Sequence, residues 1–183
     1  MEENEEKTND SSDYYGCIVF WYTHEGGEFF SVLDCGNRKD KKMIVDERMV
    51  TFIHSLETEN SEMLETIEKE ALDTFVPIIR KEMQSFLKVL LAIKKPKSIL
   101  EVGTAVGFSA ILMSEYAQQD CHITTIEKYE PRIPIARENF KRAGKEEQIT
   151  LLEGDALEIL KGMEGEFDFI FMDAAKAQYI YYM

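Results

Sequence analysis

The sequence predicts an α/β fold with a Rossmann-like parallel sheet wrapped by helices. Three observations predict it. A short apolar run, Ile99 to Val102, passes through a turn holding Gly103 and Gly107 into a helical pattern at Ala110, Ile111, Leu112 and Met113. Beyond it, strand-length apolar runs alternate with helix-length amphipathic stretches, the order that makes parallel strands joined by right-handed crossovers. Each strand also ends in a polar signal, at the place where such sheets bind ligands.

In chain order, residues 1–13 read as an acidic tail. Two β-prone runs, Tyr14 to Tyr22 and Phe29 to Leu33, flank His24-Glu25-Gly26-Gly27 and predict a hairpin that must pair or dock elsewhere. Residues 36–42 form a linker, so 1–42 is an extension of unassigned function, and 43–183 is the main domain. Helices are expected over 46–57, lined by Met49, Val50, Phe52, Ile53 and Leu56, and over 60–72, lined by Leu64, Ile67, Ala71 and Leu72. Asn60 or Ser61 caps the second, and Glu62 and Glu65 lie near its positive end. A third helix, 80–94, packs Met83, Phe86, Leu87, Leu90 and Leu91 into the core, and Pro96 stops it. Strands then fall at 99–102, 122–127, 148–153 and 167–172, with helices at 131–143 and 156–161 between the last three.

Composition narrows the function classes. The formal charge is −14, of which residues 1–73 carry −12 and residues 74–183 only −2. Cys17, Cys35 and Cys121 are odd in number and show no CxxC spacing, which fits a reducing cytoplasmic setting. No run of about 18 apolar residues marks a membrane span. The acidic start at Met1 is unlike a signal peptide. Gly-Lys-Ser/Thr is missing, which excludes a P-loop. The third glycine of a dinucleotide fingerprint is missing too, which disfavours a nicotinamide dehydrogenase. Acidic-x-Gly-x-x-x-Gly from Glu101 points instead to another adenosine-bearing cofactor, although the same stretch also suits an ordinary strand–turn–helix corner. Glu127, at the end of the second strand, can accept ribose hydroxyls or be a surface carboxylate beside Lys128. Asp155 can meet an adenine edge, cap a helix, or both. By themselves, Asp173 and Lys176 read more readily as a helix cap and a solvated lysine than as site residues. His24, His54 and His122 have no ligand spacing.

Taken together, Glu101 to Ser109, Ile126-Glu127, Glu153 to Ala156 and Phe171 to Tyr179 resemble the cation-dependent O-methyltransferases, which include the caffeoyl-CoA and catechol enzymes. The resemblance covers 43–183, and Asp173-Ala174-Ala175-Lys176 with Tyr179 is its most specific part. It is strongest to the bacterial branch that includes tRNA 5-hydroxyuridine methyltransferases. It implies a class I methyltransferase sheet and S-adenosylmethionine as cofactor. Glu101, Gly103, Thr104 and Ser109 would hold the methionine end, with Met83 lining the same pocket. Glu127 would hold the ribose, and Asp155 and Ala156 the adenine side. Asp173 would bind a divalent cation, Mg²⁺ by its preference for oxygen ligands, and Lys176 would be the general base.

The family completes its metal site with an Asp-Asn pair on a later strand that this sequence does not reach. The resemblance therefore implies a sheet incomplete at its C-terminal side. Its fourth strand would be an exposed edge open to homodimer pairing, and the stretch alone would transfer little methyl. Its acceptor is expected to be 5-hydroxyuridine in tRNA, helped by basic clusters at Arg80-Lys81, Lys94-Lys95-Lys97 and Lys141-Arg142-Lys145. A small catechol-like phenol is the alternative acceptor. A non-catalytic fragment that binds cofactor or a protein partner is the alternative class.

Overall fold

A computed structural model of the chain describes residues 19–21 and 46–173. The described elements run β1 (Val19–Trp21), α1 (Glu47–His54), α2 (Glu62–Asp73), α3 (Lys81–Lys94), β2 (Ser98–Val102), α4 (Phe108–Tyr116), β3 (His122–Glu127), α5 (Ile133–Arg142), β4 (Ile149–Glu153), α6 (Ala156–Gly162) and β5 (Phe169–Met172). They form one sheet in the order β1-β5-β2-β3-β4. Strands β2 to β5 are parallel, and β1 is antiparallel to β5.

The α/β reading holds, because period-two alternation puts apolar residues on both sheet faces. On one face Ile99, Ile123, Ile149, Leu151, Phe169 and Phe171 pack beneath α2, α3, α4 and α5. On the other, Leu100, Val102, Ile126 and Met172 pack against Ala156 and Ile159 of α6. Helix α4 is buried from Phe108 to Ser114, because it lies between the sheet and the α2–α3 layer. A helix buried on all sides must be largely apolar, and its two buried polar residues, Ser109 and Ser114, are hydrogen-bonded to Glu101 and to Ile111 O. The chain steps from β2 through β3 to β4, then returns across the sheet through α6 to β5. The order therefore reverses between β2 and β5, and the crevice at their carboxyl ends is where such sheets bind ligands.

Helix ends follow the sequence signals. Ser61 caps α2 by accepting from Leu64 N at 3.3 Å, and Asn60 instead donates to Gln84 at 2.9 Å. Lys95 ends α3 in the left-handed conformation, directly before Pro96.

Three expectations are corrected. The outer edge of β5 is not open, because β1 pairs along it from Val19↔Met172 to Trp21↔Ile170. A β-prone segment beside an unpaired row of N–H and C=O groups satisfies both. The rest of the expected hairpin lies outside the described residues. Second, the apolar stripe of α1 is not core: Met49, Phe52, Ile53 and Leu56 are exposed. The stripe is a local pattern, and the buried core draws no described residue from that helix. Third, Leu72 and Phe86 are exposed as well. The buried seams run Leu64–Ile67–Ala71 on α2 and Leu87–Leu91 on α3, and each misplaced residue lies about 100° around the helix from its buried neighbour.

Gly107 marks the tightest point of the architecture. Its φ is +86°, and a Cβ there would lie 2.6 Å from Phe140 Cε1 on α5. Gly107→Ala is expected to lower unfolding stability by roughly 2–3 kcal/mol through overpacking and backbone strain. Gly162→Ala, with nothing within 4 Å of the new methyl, should stay near wild type. Urea titration of the two variants checks this.

Candidate functional site

The carboxyl ends of β2, β3 and β5 bring together Glu101, Glu127 and Asp173. Between them runs the loop 103–107, from the end of β2 to the N-cap of α4 at Gly107. Positive φ recurs along it, at Gly103 (101°), Ala105 (49°) and Gly107 (86°). Two glycines take this conformation freely, whereas Ala105 takes it at a cost of about 1–2 kcal/mol.

Strand β3 holds the loop in this shape with three consecutive residues. Ile126 O accepts from Gly103 N at 3.0 Å and Thr104 N at 3.2 Å. The Thr125 and Thr104 hydroxyls are 2.6 Å apart. Glu127 Oε2 accepts from Ala105 N at 2.7 Å. Residues 125 and 127 point to the same face because side chains alternate along a strand.

Glu101 is fully buried. Ser109 Oγ donates to its Oε1 and Thr125 Oγ1 to its Oε2. Burial pushes its pKa up to about 7 against these two bonds, and the negative charges of Asp173 and Glu127 push the same way. The sequence reading grouped Glu101, Gly103, Thr104 and Ser109, and the structure does bring them together. It missed Thr125. The available signal was a polar residue two positions before Glu127 in a strand-length run, and its register with Glu101 emerges only in the sheet.

Glu127 is buried and not a surface residue. Its Oε1 accepts from Lys128 N at 2.9 Å and Tyr129 N at 2.7 Å, in addition to the Ala105 bond to Oε2. A carboxylate offers about four lone-pair positions, so one remains, on the oxygen facing the loop. A single ribose hydroxyl can use it directly. A second would compete with a backbone amide.

Asp155 caps α6 by accepting from Leu157 N at 2.9 Å and pairs with Lys128 at 2.7 Å. The Lys128 ammonium, then the Leu157 amide, hold its carboxyl below the usual range. Ala156 is buried at the start of α6. Met83 is partly buried on α3 against the main core. Asp173 follows β5, its N–H donating to Val102 O at 2.9 Å, and burial pushes its carboxyl up to about 6. Lys176 lies outside the described residues.

Three carboxylates beside a glycine loop suit a cationic ligand that also brings hydroxyl donors. Burial disfavours the charged form of Asp173 in particular, and a positive charge beside it would offset that cost. S-adenosylmethionine, with a sulfonium, an ammonium and two ribose hydroxyls, fits this set. A divalent cation needs several oxygen ligands. Among the described residues no group of three His, Cys, Asp or Glu could hold a metal ion, so these residues alone do not make a cation site.

Comparisons with known proteins agree with the geometry. A family profile described as O-methyltransferase matches residues 54–183. A catechol O-methyltransferase from Niastella koreensis is 36% identical over 102 residues, covering 53% of this chain and 46% of its own length. A caffeoyl-CoA O-methyltransferase from Populus kitakamiensis is 33% identical over 102 residues, 53% of this chain and 43% of its own. This chain thus spans under half the length of these relatives. Among solved structures, the Bacillus cereus O-methyltransferase in complex with SAH superposes with a TM-score of 0.66 at 26% identity, over 74% of this chain and 66% of that one. An SAH-bound Podospora anserina methyltransferase gives 0.69 at 29%, over 81% and 65%. The chain belongs to the O-methyltransferase family.

The raised pKa of Glu101 has a definite sign for stability. Below pH 4.5 the carboxyl is protonated folded or unfolded and contributes nothing. Between 4.5 and about 7 the unfolded chain releases its proton while the folded chain retains it, so stability falls as pH rises. Glu101→Gln is expected to flatten this fall in the ligand-free protein, read as urea midpoints at intervals from pH 4.5 to 8. An unchanged slope would show that Glu101 ionises normally.

Proposed function

We propose that this member of the O-methyltransferase family binds S-adenosylmethionine at the carboxyl ends of β2, β3 and β5 and directs its methyl group to the hydroxyl of a small catechol-like phenol. The observation that carries the reading is the convergence of Glu101, Glu127 and the desolvated Asp173 around a glycine loop where the strand order reverses. The names of the family relatives support the acceptor class.

When bound, S-adenosylmethionine supplies a methyl group on a sulfonium, open to in-line attack by an oxygen nucleophile. The chain's residues bind and orient. Glu101, held by Ser109 and Thr125, together with Thr104 and the Gly103 backbone, faces the methionine end. Glu127 takes a ribose hydroxyl on its free lone pair. Asp155 and Ala156 border the adenine, and Met83 lines the pocket from α3. Lys176 Nζ is the proposed acceptor of the phenol proton, on the strength of the Asp-Ala-Ala-Lys element. Asp173 would take part in cation assistance, which requires oxygen ligands beyond those described.

The tRNA acceptor has less support. Of the basic clusters expected to meet phosphate, Lys81 pairs with Glu65 and Glu68, Arg142 with Glu70 and Lys97 with Asp120. Lys145 is tied to Ser114 O and Gln148.

Calorimetric titration with S-adenosylmethionine is expected to show one site. Glu127→Ala should weaken it roughly tenfold or more, because a charge-assisted bond and the Ala105 anchor are lost together. Wild-type affinity in that variant would remove Glu127 from the site, and preference for NAD would overturn the cofactor. With the intact protein and labelled cofactor, transfer to catechol should exceed transfer to hydroxyuridine-containing tRNA and should fall on adding EDTA. The opposite acceptor order would reinstate the tRNA reading, and activity indifferent to EDTA would remove the cation.

A further inference from the structure

Strand β3 contributes one hydroxyl that touches two of the groups in the binding scheme above, Glu101 and Thr104. Thr125 is fully buried at the middle of the site face. It stands in register with Glu101 on β2. A hydroxyl has one proton to donate, and an ionised carboxylate only accepts. With Glu101 ionised, Thr125 Oγ1 donates to Glu101 Oε2, and the 2.6 Å contact with Thr104 Oγ1 then runs the other way, with Thr104 donating to Thr125. The three groups form a directed chain from the glycine loop through β3 to β2. Ser109 closes it from α4 by donating to the second Glu101 oxygen.

We propose that Thr125 is a positioning residue for the methionine end of the cofactor: its hydroxyl orients the Glu101 carboxylate and the Thr104 side chain together, and so sets two binding groups on different elements with one atom. The proposal rests on the reading that this site holds S-adenosylmethionine with Glu101 at the methionine end. Valine at 125 would keep the branched shape suited to a strand. It would leave Glu101 Oε2 without a donor and the Thr104 hydroxyl without its acceptor. In a dry site neither loss is replaced by water. Glu101 could then turn, and Thr104 could swing with the loop, while Glu127 and the ribose side stay as they are.

The ligand pair that separates positioning from general support is S-adenosylmethionine and 5′-methylthioadenosine, which shares the adenosine but lacks the amino-acid end. Calorimetry on Thr125→Val is expected to show S-adenosylmethionine binding weakened roughly tenfold and 5′-methylthioadenosine binding unchanged. Thr125→Ser, which restores the hydroxyl, should recover the lost affinity. If Thr125→Val fails to fold by circular dichroism, Thr125→Cys, a weak donor of similar size, is measured instead, with the same selective loss expected. Wild-type affinity for both ligands in the variant that folds would overturn the role of Thr125, and so would an equal loss for both. Failure of the wild type to bind S-adenosylmethionine at all would overturn the cofactor reading beneath it, and the two failures are told apart in the first titration.

Discussion

The grip of β3 on the loop between β2 and α4 is the constraint from which the rest of the site follows. Thr125, Ile126 and Glu127 supply a hydroxyl, a backbone carbonyl and a carboxylate to loop residues 103–105. The loop needs that support because Ala105 sits at positive φ without a glycine's freedom. A charge-assisted bond from its N–H to Glu127 offsets the cost. Held in this way, the loop delivers Gly107 to the start of α4 so close to Phe140 that no side chain fits between them. The entry of α4 into the core and the shape of the ligand crevice are thus set by the same few bonds.

Electrostatics give this region its chemical character. The fold gathers three carboxylates at adjacent strand ends and removes two of them, Glu101 and Glu127, almost wholly from water. Glu101 retains two hydroxyl donors and Glu127 three backbone N–H groups. For Asp173 desolvation is the dominant influence. Burial of these carboxylates beside one another disfavours their charged forms. A ligand carrying positive charge relieves that cost on binding, so the arrangement selects for charge before it selects for shape.

The N-terminal side of the chain enters the fold in two different ways. Val19–Trp21 becomes a sheet strand, because β5 offers an unpaired edge and antiparallel pairing satisfies it. Helix α1 instead remains at the surface, tied to α3 through His54 and Glu82 at 2.9 Å. Both segments carry strong apolar patterns in sequence. Only the first met a surface that required it.

Much of the fold was legible because its determinants are local. Short apolar runs around Ile99, Ile123 and Phe169, the capping residue Ser61, the stop at Lys95-Pro96 and the alternation of strand and helix each fix a segment without reference to distant partners. The glycine loop and the acidic strand ends were legible for the same reason, as was the family they resemble. What the tertiary structure decided was which local patterns find a partner. It buried Leu87 and exposed Phe86, enlisted β1 and left α1 outside, and converted Glu127 from a free acceptor into one with three positions already taken. It also exposed the link from Thr104 through Thr125 to Glu101. Residues 101 and 125 lie 24 apart in sequence and meet only because parallel pairing sets β2 against β3 in that register. Sequence by itself determined the kinds of group available at each strand end. Register and burial, which depend on the whole sheet, determined which of them touch and how much charge they must bear.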